Sequence, residues 1–258
     1  MAEDGLMLPE SGSVLGVDVG WSLKQRSSAV CRLDWDGESV QWTIRRFTGQ
    51  TELREAAMAE VIGSHPLLAA ALDGPLRGDL AVVDRYRGCE KALSVKPIAG
   101  RISQPGSSRS PVGRLLNHHT NEFARLVIDS GRLRAASHAH AIHPLALAEA
   151  FPTSFLGLLH PDPEKGLRVR RSDRYYEAAV ADGVLDRLLG HHLPGRKLEQ
   201  SFETVTNHDD SAALVCAITA LGVARNDYTT VGDDDGWIIL PPADFIADWA
   251  RPLVADWN

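Results

Sequence analysis

The sequence predicts an α/β protein built on a mixed β-sheet with helices on both faces. Three observations carry that prediction. Short apolar runs closed by aspartate or glycine, such as Val14-Leu15-Gly16-Val17-Asp18-Val19-Gly20 and Leu67-Leu68-Ala69-Ala70-Ala71-Leu72-Asp73-Gly74, read as buried strands. A helical stretch lies between the third and fourth of these runs, as a crossover between parallel neighbours requires. The second half of the chain is mostly helical, with one strand near its start and one late strand.

Taken in order, residues 1–12 read as a flexible leader, and 13–18 as the first strand. Residues 29–36 and 39–47 follow as strands, with Asp36-Gly37 between them as a hairpin turn, giving an antiparallel meander of three. Residues 52–62 have helical periodicity, and 67–73 form the fourth strand. The stretch 74–111 is less regular, and 100–111 is a polar loop. Residues 112–130 return to helix. A fifth strand is expected within 141–151, ending near Glu149, with Pro152 opening the next helix. Residues 172–189 read as one helix capped by Ser172. Residues 207–224 form the clearest helix: Asn207 caps it, acids fill its first turn, and a continuous apolar body follows. A strand at 237–240 and a short amphipathic helix at 244–249 close the chain. With no internal repeat and no domain boundary, 13–258 reads as one domain: a five-stranded mixed sheet flanked by helices, with a helical insertion and a C-terminal strand–helix extension. This order fits the RNase H-like arrangement, in which the first strand is central and the fourth lies parallel beside it.

Composition sets bounds. The 258 residues are 44% hydrophobic and 24% charged, which suits a globular chain with a sizeable core. No apolar run approaches the ~18 residues of a membrane span. The acidic start, Met1-Ala2-Glu3-Asp4-Gly5, lacks the features of a secretory signal. Three separated cysteines, Cys31, Cys89 and Cys216, offer neither a metal spacing nor a disulfide framework. A cytoplasmic protein without a membrane partner is expected; the oligomeric state is open.

The net charge of −7 argues against non-specific coating of nucleic acid, yet the charge is unevenly spread. Between Asp84 and Arg114 stand seven basic residues (Arg85, Arg87, Lys91, Lys96, Arg101, Arg109, Arg114) against Asp84 and Glu90. Lys165, Arg168, Arg170, Arg171 and Arg174 form a second basic cluster. From Asp227 onward seven aspartates face a single Arg251.

Two strands that each deliver a carboxylate to their tip, Asp18 and Asp73, suggest a site for Mg²⁺ or Mn²⁺. Such ions take oxygen ligands, and one or two carboxylates can hold them beside a phosphate. A pair of ions can activate water and stabilise the leaving oxygen of a phosphodiester. Asp209 and Asp210, in the first turn of the strongest helix, and Glu149, at the end of the fifth strand, are further candidates. Each residue also has a plain structural role available: a turn aspartate for Asp18, helix-dipole partners for Asp209 and Asp210. Their combination in one topology makes the case.

The segments Gly16-Val17-Asp18-Val19-Gly20-Trp21, Leu72-Asp73-Gly74-Pro75-Leu76, Arg87-Gly88-Cys89-Glu90, Glu149-Ala150-Phe151-Pro152, Asp209-Asp210-Ser211-Ala212-Ala213-Leu214-Val215-Cys216-Ala217 and Gly236-Trp237-Ile238-Ile239-Leu240-Pro241 occur in order. Together they resemble the RNase H-like nucleases of domain-of-unknown-function family 429. The resemblance implies a divalent-metal-dependent nuclease acting on nucleic acid, DNA or RNA. It places metal ligands on Asp18, Asp73 and Asp209, with Asp210 beside them and Glu149 as an accessory ligand or base. Arg85, Arg87 and Lys91, just beyond the Asp73 tip, would meet backbone phosphates. One departure stands out. Where relatives commonly carry a second acid one helical turn on, this chain has Ala212. A catalytically silent RNase H-like binding module is therefore the rival reading.

Other features are weaker. Gly16-Val17-Asp18-Val19-Gly20 with Lys24 also looks like the first phosphate loop of actin-like sugar kinases, but Leu72-Asp73-Gly74-Pro75 is a poor second loop. His138-Ala139-His140-Ala141-Ile142-His143 could suggest zinc, but no cysteine or fourth ligand is placed by spacing, and it reads as a polar loop before a strand. His118-His119 and His191-His192 read as surface residues, and His208, next to Asp209, as a candidate proton carrier. Trp21, beside Asp18, is a candidate platform for a base.

Overall fold

The apolar runs place the strands as their patterning requires. The computed structural model describes residues 7–96, 98–102, 105–163 and 171–257. It opens with the expected meander: β1 (Gly12–Asp18), β2 (Ser28–Trp35) and β3 (Ser39–Phe47). β1 and β2 are buried along nearly their whole length. β3 alternates, burying Val40, Trp42 and Phe47 while Gln41, Thr43 and Arg45 meet water. α1 (Thr51–Ile62) then crosses to β4 (Ala69–Asp73), parallel to β1. Two short helices follow, α2 (Gly88–Leu93) and α3 (Ile98–Arg101), and then the long α4 (Pro111–Gly131), where the Ser110 hydroxyl accepts the Gly113 N–H. β5 (Leu147–Ala150) lies parallel to β4. After it come α5 (Pro152–Leu159), α6 (Arg171–Ala181), α7 (Val184–His192), the two-residue β6 (Lys197–Leu198), α8 (His208–Arg225), the hairpin of β7 (Thr229–Asp233) and β8 (Gly236–Leu240), and α9 (Arg251–Val254).

The sheet runs β6-β3-β2-β1-β4-β5-β8-β7. The α/β class, the meander, the central first strand and its parallel neighbour all stand as expected. The count of five does not: among the described residues eight strands share one sheet, and the strand expected as a C-terminal extension, β8, is one of them. β6 is two residues long and β7 carries threonine, glycine and aspartate rather than an apolar run, so neither has a hydrophobic signature. Two helices also differ. The stretch expected as one helix at 172–189 breaks at Gly183, which adopts φ 63°. The helix expected at 244–249 is a single 3₁₀ turn at Ala243–Phe245, and helical backbone resumes at α9 with Pro252 in its first turn. Residues 1–6 of the expected leader, and Lys165, Arg168 and Arg170 of the second basic cluster, lie outside the described residues.

Side-chain alternation gives the sheet two faces. Val14, Asp18, Ala69, Ala71, Asp73, Ala148 and Ala150 share one face with α8, whose residues from Ser211 to Val223 are all buried. Leu15, Val17, Ala70, Leu72 and Leu147 share the other with α1 and α4. Gly16 sets the fit between β1 and α8. A Cβ there would stand 2.1 Å from the Ala217 nitrogen and 2.2 Å from the Ala213 oxygen, so only glycine lets the helix lie this close.

Candidate metal centre

Asp18 and Asp73 are register partners, the last residues of adjacent parallel strands, and both lie on the α8 face. Because α8 packs along β1 at Gly16, its first turn reaches the same strand ends. There the Asn207 side chain accepts the N–H groups of Asp209 at 3.0 Å and Asp210 at 3.4 Å, fixing the turn that carries both acids. Four of the five expected acids thus belong to one cluster.

The electrostatics follow from that crowding. Burial, then the charges of Asp73, Asp209 and Asp210, push the Asp18 carboxyl well above the usual range. Burial, then Glu149, push Asp73 up to about 7, with His208 working against them. Asp209 and Asp210 are also raised by burial, while Arg46 pulls both down. Arg46 Nε lies 3.1 Å from an Asp210 oxygen, and His208 Nδ1 lies 2.6 Å from Asp173. Arg46 and Asp173 were not among the expected site residues. For Arg46 there was a signal: it occupies an inward position of the β3 alternation, in line with Val40 and Trp42, where an apolar side chain would be the default. The carboxylates of Asp18, Asp73 and Asp209 share one field but do not close to mutual ligand distance. Among the described residues, two other groups do, with three ligand atoms within 4.8 Å of one another: His118–His119–Glu122 and His191–His192–Asp227.

Glu149 stands apart from the cluster. It is in register with Leu72, one residue short of the Asp73–Ala150 pair, so the strand alternation turns it to the α1–α4 face. Its oxygens accept from Arg87 Nη1 at 2.6 Å, Arg87 Nη2 at 2.7 Å and the Leu76 N–H at 2.8 Å. Arg87 in turn donates to Glu90 Oε1 at 2.9 Å and to the Leu76 carbonyl at 2.9 Å. This corrects the expectation for Arg87. The side chain is 1% exposed and every guanidinium nitrogen is engaged within the protein, so it braces the β4–β5 end of the sheet and meets no phosphate.

The basic surface is likewise partly occupied. Arg85 forms a two-pronged pair with Asp235 at 2.6 and 2.8 Å, and Arg77 reaches the same carboxylate at 2.8 Å. The acidic turn of the β7–β8 hairpin therefore lies against the start of the basic run. Lys91 is exposed and lines the same shallow surface. Beside Asp73, a cavity of about 260 Å³ opens between the β4–β5 tips and the first turn of α4, with Glu149, Phe151 and Leu116 in its wall.

Trp21 is stacked on His119, with ring centroids 6.0 Å apart and planes within 5°. His192 is not a surface residue but 2% exposed, and His138, expected in a polar loop, is 5% exposed. No family model, curated protein or solved structure matches this chain.

Proposed function

We propose that this chain is a divalent-metal-dependent nuclease of RNase H-like fold, hydrolysing phosphodiester bonds of DNA or RNA. One observation carries the reading: Asp18 and Asp73 are register partners at the ends of adjacent parallel strands, and α8 brings Asp209 and Asp210 to the same place. The order β3-β2-β1-β4-β5, antiparallel and then parallel, supports the fold assignment. Three buried, unpaired cysteines suit a reducing cytoplasm.

The donor set fits the ion. Carboxylate oxygens are the ligands Mg²⁺ and Mn²⁺ prefer, and a cluster that disfavours its own ionisation is one a cation relieves. Asp18, Asp73 and Asp209 would hold it, and Asp210, drawn to Arg46, closes the set. When bound, the ion supplies an activated water and charge stabilisation at the phosphate. His208, exposed beside Asp173, would carry a proton between that site and solvent. Glu149 acts as a positioning residue: by accepting the Leu76 N–H it fixes the Asp73-Gly74-Pro75 turn. Arg85 and Lys91, on the shallow surface beside the β7–β8 turn, would meet the backbone of the substrate.

The test is cleavage of single- and double-stranded DNA and RNA with Mg²⁺ or Mn²⁺, comparing the chain with Asp18→Asn and Asp73→Asn. Loss of cleavage in both variants, with unchanged folding, supports the reading; retained cleavage overturns it. The second reading is a catalytically silent binding module. Ala212 favours it, because this buried side chain gives no ligand where a second helical acid would stand. No cleavage and no Mn²⁺-dependent stabilisation at millimolar metal would favour that module.

A further inference from the structure

We propose that His191, His192 and Asp227 form a second metal site, suited to Zn²⁺ and distinct from the carboxylate cluster. The two histidines end α7, and Asp227 follows the C-terminus of α8. The acids of the first cluster stand at the opposite end of α8, about 25 Å away along an 18-residue helix.

The geometry is close to what zinc requires. His191 Nε2 lies 2.6 Å and His192 Nδ1 4.0 Å from the same Asp227 oxygen, Oδ2. An ion about 2.0–2.1 Å from nitrogen and oxygen would set both separations near ~3.3 Å, a shift of roughly 0.7 Å in each. Two imidazoles and one carboxylate suit Zn²⁺ and leave a fourth position for water. His191 and Asp227 are each about one-third exposed, with side chains at 33% and 30%, so that position opens to solvent.

A second observation points to a ligand. The His192 side chain is 1% exposed, yet its Nδ1 has no hydrogen-bond partner among the described residues. A buried ring nitrogen left unpaired carries a desolvation penalty that a metal bond removes. The surroundings favour a cation as well. The carbonyl ends of α7 and α8 converge here, each carrying partial negative charge. Arg225 uses part of this field: it donates to the carbonyls of His191 and His192, while its Nε stands 3.9 Å from the Asp227 carboxylate. Asp227 is held firmly, since its N–H donates to the Gly222 carbonyl at 2.9 Å and Asn226 caps α8 in the left-handed conformation. Phe245 lies edge-on against His191 and shields that ring. The His118–His119–Glu122 group offers no such vacancy, because Arg54 already holds Glu122 at 2.8 Å.

The experiment titrates the metal-stripped 258-residue chain with Zn²⁺ in competition with a chromophoric chelator. One equivalent is expected to bind to the Asp18→Asn/Asp73→Asn double variant, whatever the carboxylate cluster of the parent chain takes up, so failure of the nuclease reading leaves this result untouched. His191→Gln and Asp227→Asn, both at partly exposed positions, should each weaken Zn²⁺ by about tenfold or more with an unchanged circular dichroism spectrum. The Co²⁺ form should show the visible absorption of a tetrahedral site, lost in His192→Gln. Absence of the bound equivalent from the double variant, or His191→Gln binding as tightly as the parent, would overturn the proposal.

Discussion

Asp73 stands at the register position of Asp18 on the next parallel strand, and after burial its charge is the largest force pushing the Asp18 carboxyl up. The pair therefore works against the metal-free fold. Asp73 is itself raised to about 7, first by burial and then by Glu149, against ~3.9 in an unfolded chain. The sign follows. Below about pH 4 both states keep the proton and the group is neutral towards folding. Between about pH 4 and 7 only the unfolded chain releases it, so stability falls, and above 7 the loss is complete. Asp73→Asn should therefore stabilise the metal-free protein by about 1–3 kcal/mol at pH 8 and hardly at all at pH 4. Urea titrations at the two pH values measure this. A variant less stable than the parent at pH 8 would remove Asp73 from the crowded cluster.

The Arg87–Glu149 pair separates bracing from chemistry. Breaking one side of a buried ion pair costs about 3–5 kcal/mol because the other charge is left unpaired. Glu149→Ala should lose stability on that scale, and Arg87→Met with Glu149→Leu should lose less than the two single changes together. Denaturant midpoints decide it. If Glu149→Ala unfolds at the parent's midpoint, Glu149 does not brace the fold.

The strand tips were legible because burial and chemistry wrote the same signal: an apolar run must form a central strand, and an acid closing it must sit at the sheet's end. Asp18 and Asp73 could be placed that way, and Asp209 and Asp210 by a different signal, the Asn207 cap and acidic first turn of an apolar helix. Glu149 and Arg87 could not. Both look chemically available in the sequence, and it takes the strand register to show that Glu149 faces the other side of the sheet with Arg87 locked onto it. His192 was hidden for a related reason. A His-His pair closing an amphipathic helix reads as polar surface, and only the packing of α7 against α8 shows that one ring is covered. β6 and β7 were invisible because an edge strand needs backbone partners rather than an apolar run.

His138 predicts an acid weakness remote from the carboxylates. It is buried with both ring nitrogens unpartnered among the described residues, and burial, with His140 adding to it, lowers it to about 4. The ring is thus held neutral. Its contribution is fully present above about pH 6.5, where the unfolded chain is also neutral, and is lost as pH falls from there towards 4, while the unfolded chain takes up the proton. The loss should approach ~3 kcal/mol. His138→Phe keeps a ring beside Tyr228 and should flatten the dependence between pH 6.5 and 4. Thermal unfolding across that range measures it, and an unchanged slope in the variant would assign the acid sensitivity elsewhere.

Gly16 and Gly190 make opposite predictions for the same substitution. At Gly16 an added methyl would meet the backbone of α8, from Ala213 to Ala217, and a helix backbone cannot turn aside as a side chain can. Gly16→Ala should cost about 3 kcal/mol as β1 and α8 are forced apart. The same displacement would draw Asp209 and Asp210 away from Asp18, so Mn²⁺-dependent stabilisation should weaken along with the fold. Gly190 lies on an exposed turn of α7 with nothing within 4 Å of an added Cβ. There Ala improves helix propensity, and Gly190→Ala should stabilise by about 0.5–1 kcal/mol with metal response unchanged. Urea midpoints with and without Mn²⁺ test both variants together. Equal midpoints for Gly16→Ala and the parent would mean that α8 does not rest on β1 at this residue, and the route by which Asp209 reaches the strand tips would have to be redrawn.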